Sequence, residues 1–127
     1  MKKKIIVTAS VFGVLAVIAG AFGAHTLRGS LSPKNLEVWQ TAVQYQFYHV
    51  FALLALSVLP LKGKLITATY YLFTLGIICF SGSLYLLACQ DLLGVHISNI
   101  TGPVTPLGGL LFIAGWATLA IAAFRNK

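Results

Sequence analysis

Charge is what this sequence has least of. Of its 127 residues only 9% are Asp, Glu, Lys or Arg, and Glu37 and Asp91 are the only acids. A soluble domain carries about 25% charged residues, so a water-facing surface of ordinary composition is excluded. Cysteine is nearly as scarce. Cys79 and Cys89 fall in one apolar run at a spacing that fits no CxxC redox or zinc pattern, so neither a disulfide nor a metal is expected. Catalytic signatures are missing as well: there is no GxSxG, no HExxH and no glycine-rich phosphate loop. The reading is therefore of a non-enzyme with no cofactor. No internal repeat or low-complexity segment interrupts the chain.

Apolar residues are present in excess, at 58% of the chain, with a mean hydropathy of +0.90. They gather in four runs, Ile5 to Ala24, Ala42 to Leu61, Leu65 to Ala88 and Pro106 to Phe124. Each is about the 20 residues that an α-helix needs to cross the hydrocarbon core. Unbroken runs of this length are helices; barrel strands alternate and are about half as long. The expectation is one all-α domain over residues 1–127, an integral membrane four-helix bundle with helices at about 5–24, 33–61, 65–90 and 106–124.

The net charge of +7 does not point to nucleic acid, since no basic face with interleaved aromatics is present. Lys2, Lys3, Lys4, Lys62, Lys64, Arg125 and Lys127 flank the apolar runs, where basic residues mark the cytoplasmic side. Only Arg28 and Lys34 fall on the other side. Both termini are therefore expected in the cytoplasm, in a multi-pass protein of the inner membrane. MKKK before an apolar core also resembles a signal peptide, but the run exceeds the usual 7–15 residues. Small residues at Ala9, Gly13, Ala16, Gly20 and Ala24 share one face along its length, as in a retained packing helix.

Ser32-Pro33 is a helix start, with serine as N-cap and proline at the first position. Along the helix that follows, Glu37, Gln40, Thr41, Gln44 and Tyr48 recur at spacings of three and four, forming one polar stripe. Tyr45 borders it, His49 lies further round, and Gln46 points nearly the opposite way. Lipid does not suit such a stripe, so it is expected to face protein or a watery crevice. His25, Arg28 and Asp91 fall at the same outer end, with His96 nearby, and Arg28 is a natural partner for Glu37. Together His25, Arg28, Glu37, Gln40, Gln44, Tyr45, Tyr48, His49 and Asp91 make the candidate polar site. An intramembrane ionisable residue such as His49 is a functional candidate by default, against the alternative that amides and tyrosines only join helices. Gly13, Gly20, Gly82, Gly108 and Gly115 are expected at close helix contacts. Gly102-Pro103 and Thr105-Pro106 suggest a structured turn opening the last helix.

Four stretches are recognisable in order: AGAFGAH (Ala19 to His25), WQTAVQYQFYHVFALL (Trp39 to Leu54), FSGSLY (Phe80 to Tyr85) and GPVTPLGGLLFIAGW (Gly102 to Trp116). Together they resemble the YgdD/YwdK family of small bacterial membrane proteins, a domain of unknown function related to eukaryotic transmembrane protein 256. The resemblance implies a four-helix inner-membrane protein that keeps its first helix, and it carries no established activity. Three functions stay open. One is a structural or accessory component that contacts membrane lipids and forms a homo-oligomer or joins a larger complex. Another is a solute or proton pathway through Glu37, Gln44 and His49. The last is a redox subunit holding quinone, or haem through His25 and His49, which would require both histidines at one depth.

Overall fold

The computed structural model describes residues 1–126, and among them every regular element is helical. Helix α1 spans Lys2–Ala24 and α2 Pro33–Val58. Helix α3 covers Lys64–Leu93 and α4 Ser98–Arg125. The expected all-helical bundle is the observed one. Its main contacts join α1 to α2, α3 to α4, and α2 to the second half of α3. By length and composition α1, α3 and α4 can each cross a membrane. Amides dilute the apolarity of α2, but its packing sets its depth. Trp39 bonds to Ala19, Gln46 bonds to Phe12, and Val50 faces Gly13. This antiparallel register keeps α2 beside α1 through the same slab.

Local chemistry explains the helix ends. Ser32 Oγ accepts from the Asn35 amide at 3.2 Å, the N-cap bond that the Ser-Pro pair suggests. Pro60 turns Leu59 to extended backbone and stops α2 three residues before the expected position. Gly94 ends α3 in the left-handed conformation, at φ 64°. The last helix departs furthest from expectation. It begins at Ser98, with Pro103 and Pro106 inside it, so the expected turn is helical instead. Thr101 and Thr105 in this first stretch return their hydroxyls to the carbonyls of Ile97 and Thr101.

At one end of the bundle Met1, Lys2 and Lys62 border one groove, and Lys62, Lys64 and Arg125 border another. The basic flanks thus gather where the turn between α2 and α3 meets both ends of the described chain. Lys127, counted with them above, lies outside the described residues.

Glycine contacts are closest between α3 and α4. A methyl group at Gly108 would strike the backbone nitrogen of Phe80, and one at Gly115 would lie 2.6 Å from the Phe73 ring. Phe80 sits in a π-helical turn, Ile77–Ser81, that interrupts α3. Gly23 against Trp39 and Gly76 against Phe112 make two more such approaches. Gly13 and Gly20 meet Val50 and Val43 at ordinary contact, 3.6 Å. Gly82 is a correction: nothing lies within 4 Å of its added carbon, because it borders an open crevice rather than a helix.

Candidate functional site

The inward face of α2 carries a polar network that ties the bundle together. Gln46, 3% exposed, donates from Nε2 to the Phe12 carbonyl of α1 at 2.8 Å. Its Oε1 accepts from the Tyr85 hydroxyl of α3 at 2.6 Å. One amide therefore joins three helices. One turn further from the basic flanks, Ser81 Oγ reaches the Ala42 carbonyl at 2.7 Å, and two turns further the Trp39 indole N–H reaches the Ala19 carbonyl at 2.8 Å. In lipid such bonds, with close packing, supply the helix association that the hydrophobic effect supplies in water. Thr8 with Tyr70, Thr69 with Thr118 and Ser83 with Thr105 add further cross-helix pairs.

His49 belongs to this interior network. It is 4% exposed and lies flat on Phe112, with ring centroids 3.5 Å apart and planes 7° apart. Phe73 and Trp116 meet it edge-on. Its Nδ1 bonds to the Tyr45 carbonyl at 2.8 Å, and its Nε2 accepts from the Trp116 indole N–H at 3.2 Å. A carbonyl only accepts and an indole N–H only donates. The imidazole is therefore held neutral with its proton on Nδ1. A proton arriving at Nε2 would meet a donor, and an iron would have to displace that donor.

The stripe expected to face protein or a watery crevice lies on the outside of this single bundle. Glu37, Gln40, Gln44, Tyr45 and Tyr48 are exposed, Tyr48 by 56%, and only Thr41 is half-buried. The buried positions of α2, including Ala42, Gln46, His49 and Leu53, lie on the other side of the helix. Tyr45 is a boundary residue, with one edge exposed and its ring 4.7 Å from that of Phe80. The proposed path through Glu37, Gln44 and His49 is thus divided between two faces. Depth makes the outward amides costly. Measured upward from Val58, ~30 Å of hydrocarbon at ~1.5 Å per residue ends near Trp39. Gln44 then lies about 7 Å below the boundary and Tyr48 about 13 Å below it. An amide without a partner in an apolar medium costs roughly 2–7 kcal/mol.

At the end of the bundle away from the basic flanks the chargeable residues do not converge. His25, Arg28 and His96 are exposed, and among the described residues Arg28 and Glu37 form no ion pair. Asp91 accepts from the Asn35 side chain at 3.1 Å instead. Three His, Cys, Asp or Glu side chains nowhere come together among the described residues. Between α1 and α3 a crevice of about 420 Å³ opens sideways, walled by Leu15, Ile18, Phe22 and Ile78, with Trp39, Gln46 and Tyr85 at its base.

Gln46, Tyr85 and the two indole N–H groups were not singled out as site residues from sequence. For Gln46 the signal was its place opposite the stripe; for Tyr85 and the indoles no periodicity marks a partner.

The chain matches, over residues 19–109, the family model described as "Protein of unknown function (DUF423)". It is 41% identical to the UPF0382 membrane protein SH2409 of Staphylococcus haemolyticus, over 97% of each chain. It is 40% identical to the UPF0382 membrane protein YwdK of Bacillus subtilis, over 97% of this chain and 98% of that one. A UPF0382 membrane protein of Haemophilus influenzae is 37% identical over all of this chain and 98% of its own. No solved structure matches.

Proposed function

We propose that this chain, which belongs to the DUF423 family of membrane proteins, is a non-enzymatic structural or accessory component of the bacterial inner membrane. It acts through contacts on the outward face of α2, with its termini on the cytoplasmic side where Lys2, Lys62, Lys64 and Arg125 gather.

One observation carries the reading. Each deeply buried polar side chain, Gln46, His49, Ser57, Thr69, Ser81, Ser83 and Thr101, is hydrogen-bonded within the bundle. Most of these groups join helices, while Ser57 and Thr101 return to carbonyls of their own turns. The Gln40 and Gln44 amides point out, and the buried Gln90 Oε1 is without a partner among the described residues. Binding chemistry is therefore offered on the surface of the bundle rather than in an enclosed pocket. A proton path would need His49 to release bonds at both nitrogens, and a quinone entering the crevice would find Gln46 and Tyr85 already joined to each other.

The test is native mass spectrometry of the protein extracted gently from its own membrane. The wild type is expected to retain a companion, whether another copy, another protein or a small molecule, and the Gln40→Leu/Gln44→Leu variant to lose it. A bare monomer carrying only bulk lipid, or a companion that survives the double substitution, would overturn the reading.

A further inference from the structure

We propose that the occupant of the α2 stripe is a second copy of this chain, paired about a two-fold axis normal to the membrane. The inference rests on the reading of that stripe as a contact face and names what covers it. Gln40, Gln44 and Tyr48 are exposed on one side of α2, and all three have side-chain groups that both donate and accept. A surface of this kind satisfies itself, which a purely basic or acidic one does not.

Membrane insertion supplies the register. All copies insert the same way up, so a two-fold pair about the normal is parallel and isologous. It brings each residue to the depth of its own counterpart. Gln44 then meets Gln44, and Gln40 lies one turn above it. Lipid tails at that depth offer neither donors nor acceptors. Further in, the same face continues as Phe51 and Val58, both exposed, and Ala55. This gives two copies an apolar contact below the amides. A groove of about 250 Å³ beside the stripe, lined by Gly20, Gly23 and Val43 with Gln40 and Gln44, allows the partner's side chains to enter. At the watery end Glu37 would face its own counterpart, and exposed Lys34 one turn above brings the opposite charge to the pair.

Disulfide trapping in native membranes tests this. Cys79 and Cys89 are replaced by alanine, Gln44→Cys is introduced, and the membranes are oxidised with copper phenanthroline. The expected product is a species of twice the monomer mass. Leu110→Cys, on the exposed face of α4, should give none. No product at Gln44→Cys beyond that of Leu110→Cys would overturn the proposal. An adduct of any other mass would overturn the second copy as occupant, while leaving the stripe a contact face. In native mass spectra, losing the amide bonds with Gln40→Leu/Gln44→Leu should weaken the dimer at least about tenfold. A dimer unchanged by that substitution would also refute the proposal.

Discussion

Gln44 and Gln46 are two residues apart and chemically identical, yet the structure places them on opposite faces of α2. Gln46→Leu removes two interhelical hydrogen bonds, to the Phe12 carbonyl and from the Tyr85 hydroxyl. At roughly 0.6–1.7 kcal/mol for each such bond in a membrane, the loss is about 1–3 kcal/mol. That shifts the unfolding equilibrium about 5- to 150-fold. Leucine recovers little by being apolar, since a lipid tail is as apolar as the bundle interior. Gln44→Leu removes nothing from the monomer and should lie within about ±0.5 kcal/mol of wild type. The assay is unfolding by sodium dodecyl sulfate of dilute, monomeric protein in mild detergent, followed by tryptophan fluorescence. Trp39 and Trp116 each bond across a helix contact, so their environment changes as helices part. Equal losses for the two variants, or a larger loss for Gln44→Leu, would refute the assignment of inward and outward faces.

Two further substitutions probe the interior. At position 49, His49→Phe keeps a flat ring on Phe112 and leaves the Trp116 indole N–H without its acceptor, so about 1–2 kcal/mol should be lost. His49→Ala also opens a cavity and should cost about 3–5 kcal/mol; the same detergent titration checks the order, and equal costs would contradict the stacked geometry. For the helix contacts, Gly108→Ala places a methyl group against the Phe80 backbone, which no rotamer relieves, and should destabilise by at least about 1–3 kcal/mol. Gly82→Ala enters open space within a helix and should be neutral or stabilising by up to about 1 kcal/mol; a thermal ramp of both variants in detergent decides, and a costly Gly82→Ala would contradict the open crevice.

The fold was legible because membrane helices announce themselves by length and apolarity. The small-residue face of α1 found its partner over most of its length: Ala9 and Ala16 are buried and Gly13 and Gly20 half-buried, while Ala24 is exposed. Gly108 and Gly115 of α4 are buried as expected. Serine and proline marked the start of α2 correctly. The same local reading failed at α4, where prolines suggested a turn. Proline lacks one donor and disfavours helix in the residue before it, yet the helix holds from Ser98 with both prolines near its start, where each leaves only one carbonyl, of Asn99 or Gly102, without its helical donor. The π turn at Ile77–Ser81 had no signal in the sequence; Phe80 within it meets Gly108 closely, a tertiary contact between distant residues that local pattern does not carry.

The candidate site was harder for a different reason. Periodicity assigns residues to a face but does not say which way the face points. In water the polar face of an amphipathic helix turns outward, and in lipid the apolar face does. Helix α2 carries polar groups on both sides, so neither rule decides. Three-dimensional complementarity does. Gln46 and His49 fit against fixed partners, a free helix carbonyl at Phe12, the hydroxyl of Tyr85 and the indole of Trp116. Gln40, Gln44 and Tyr48 are regular with one another but have no counterpart on α1, α3 or α4, and so the bundle closes without them. Under the proposed pairing, the regularity that suggested a protein-facing or crevice-facing stripe becomes a repeated pattern facing its own repeat, since residues matched to a second copy need only match themselves.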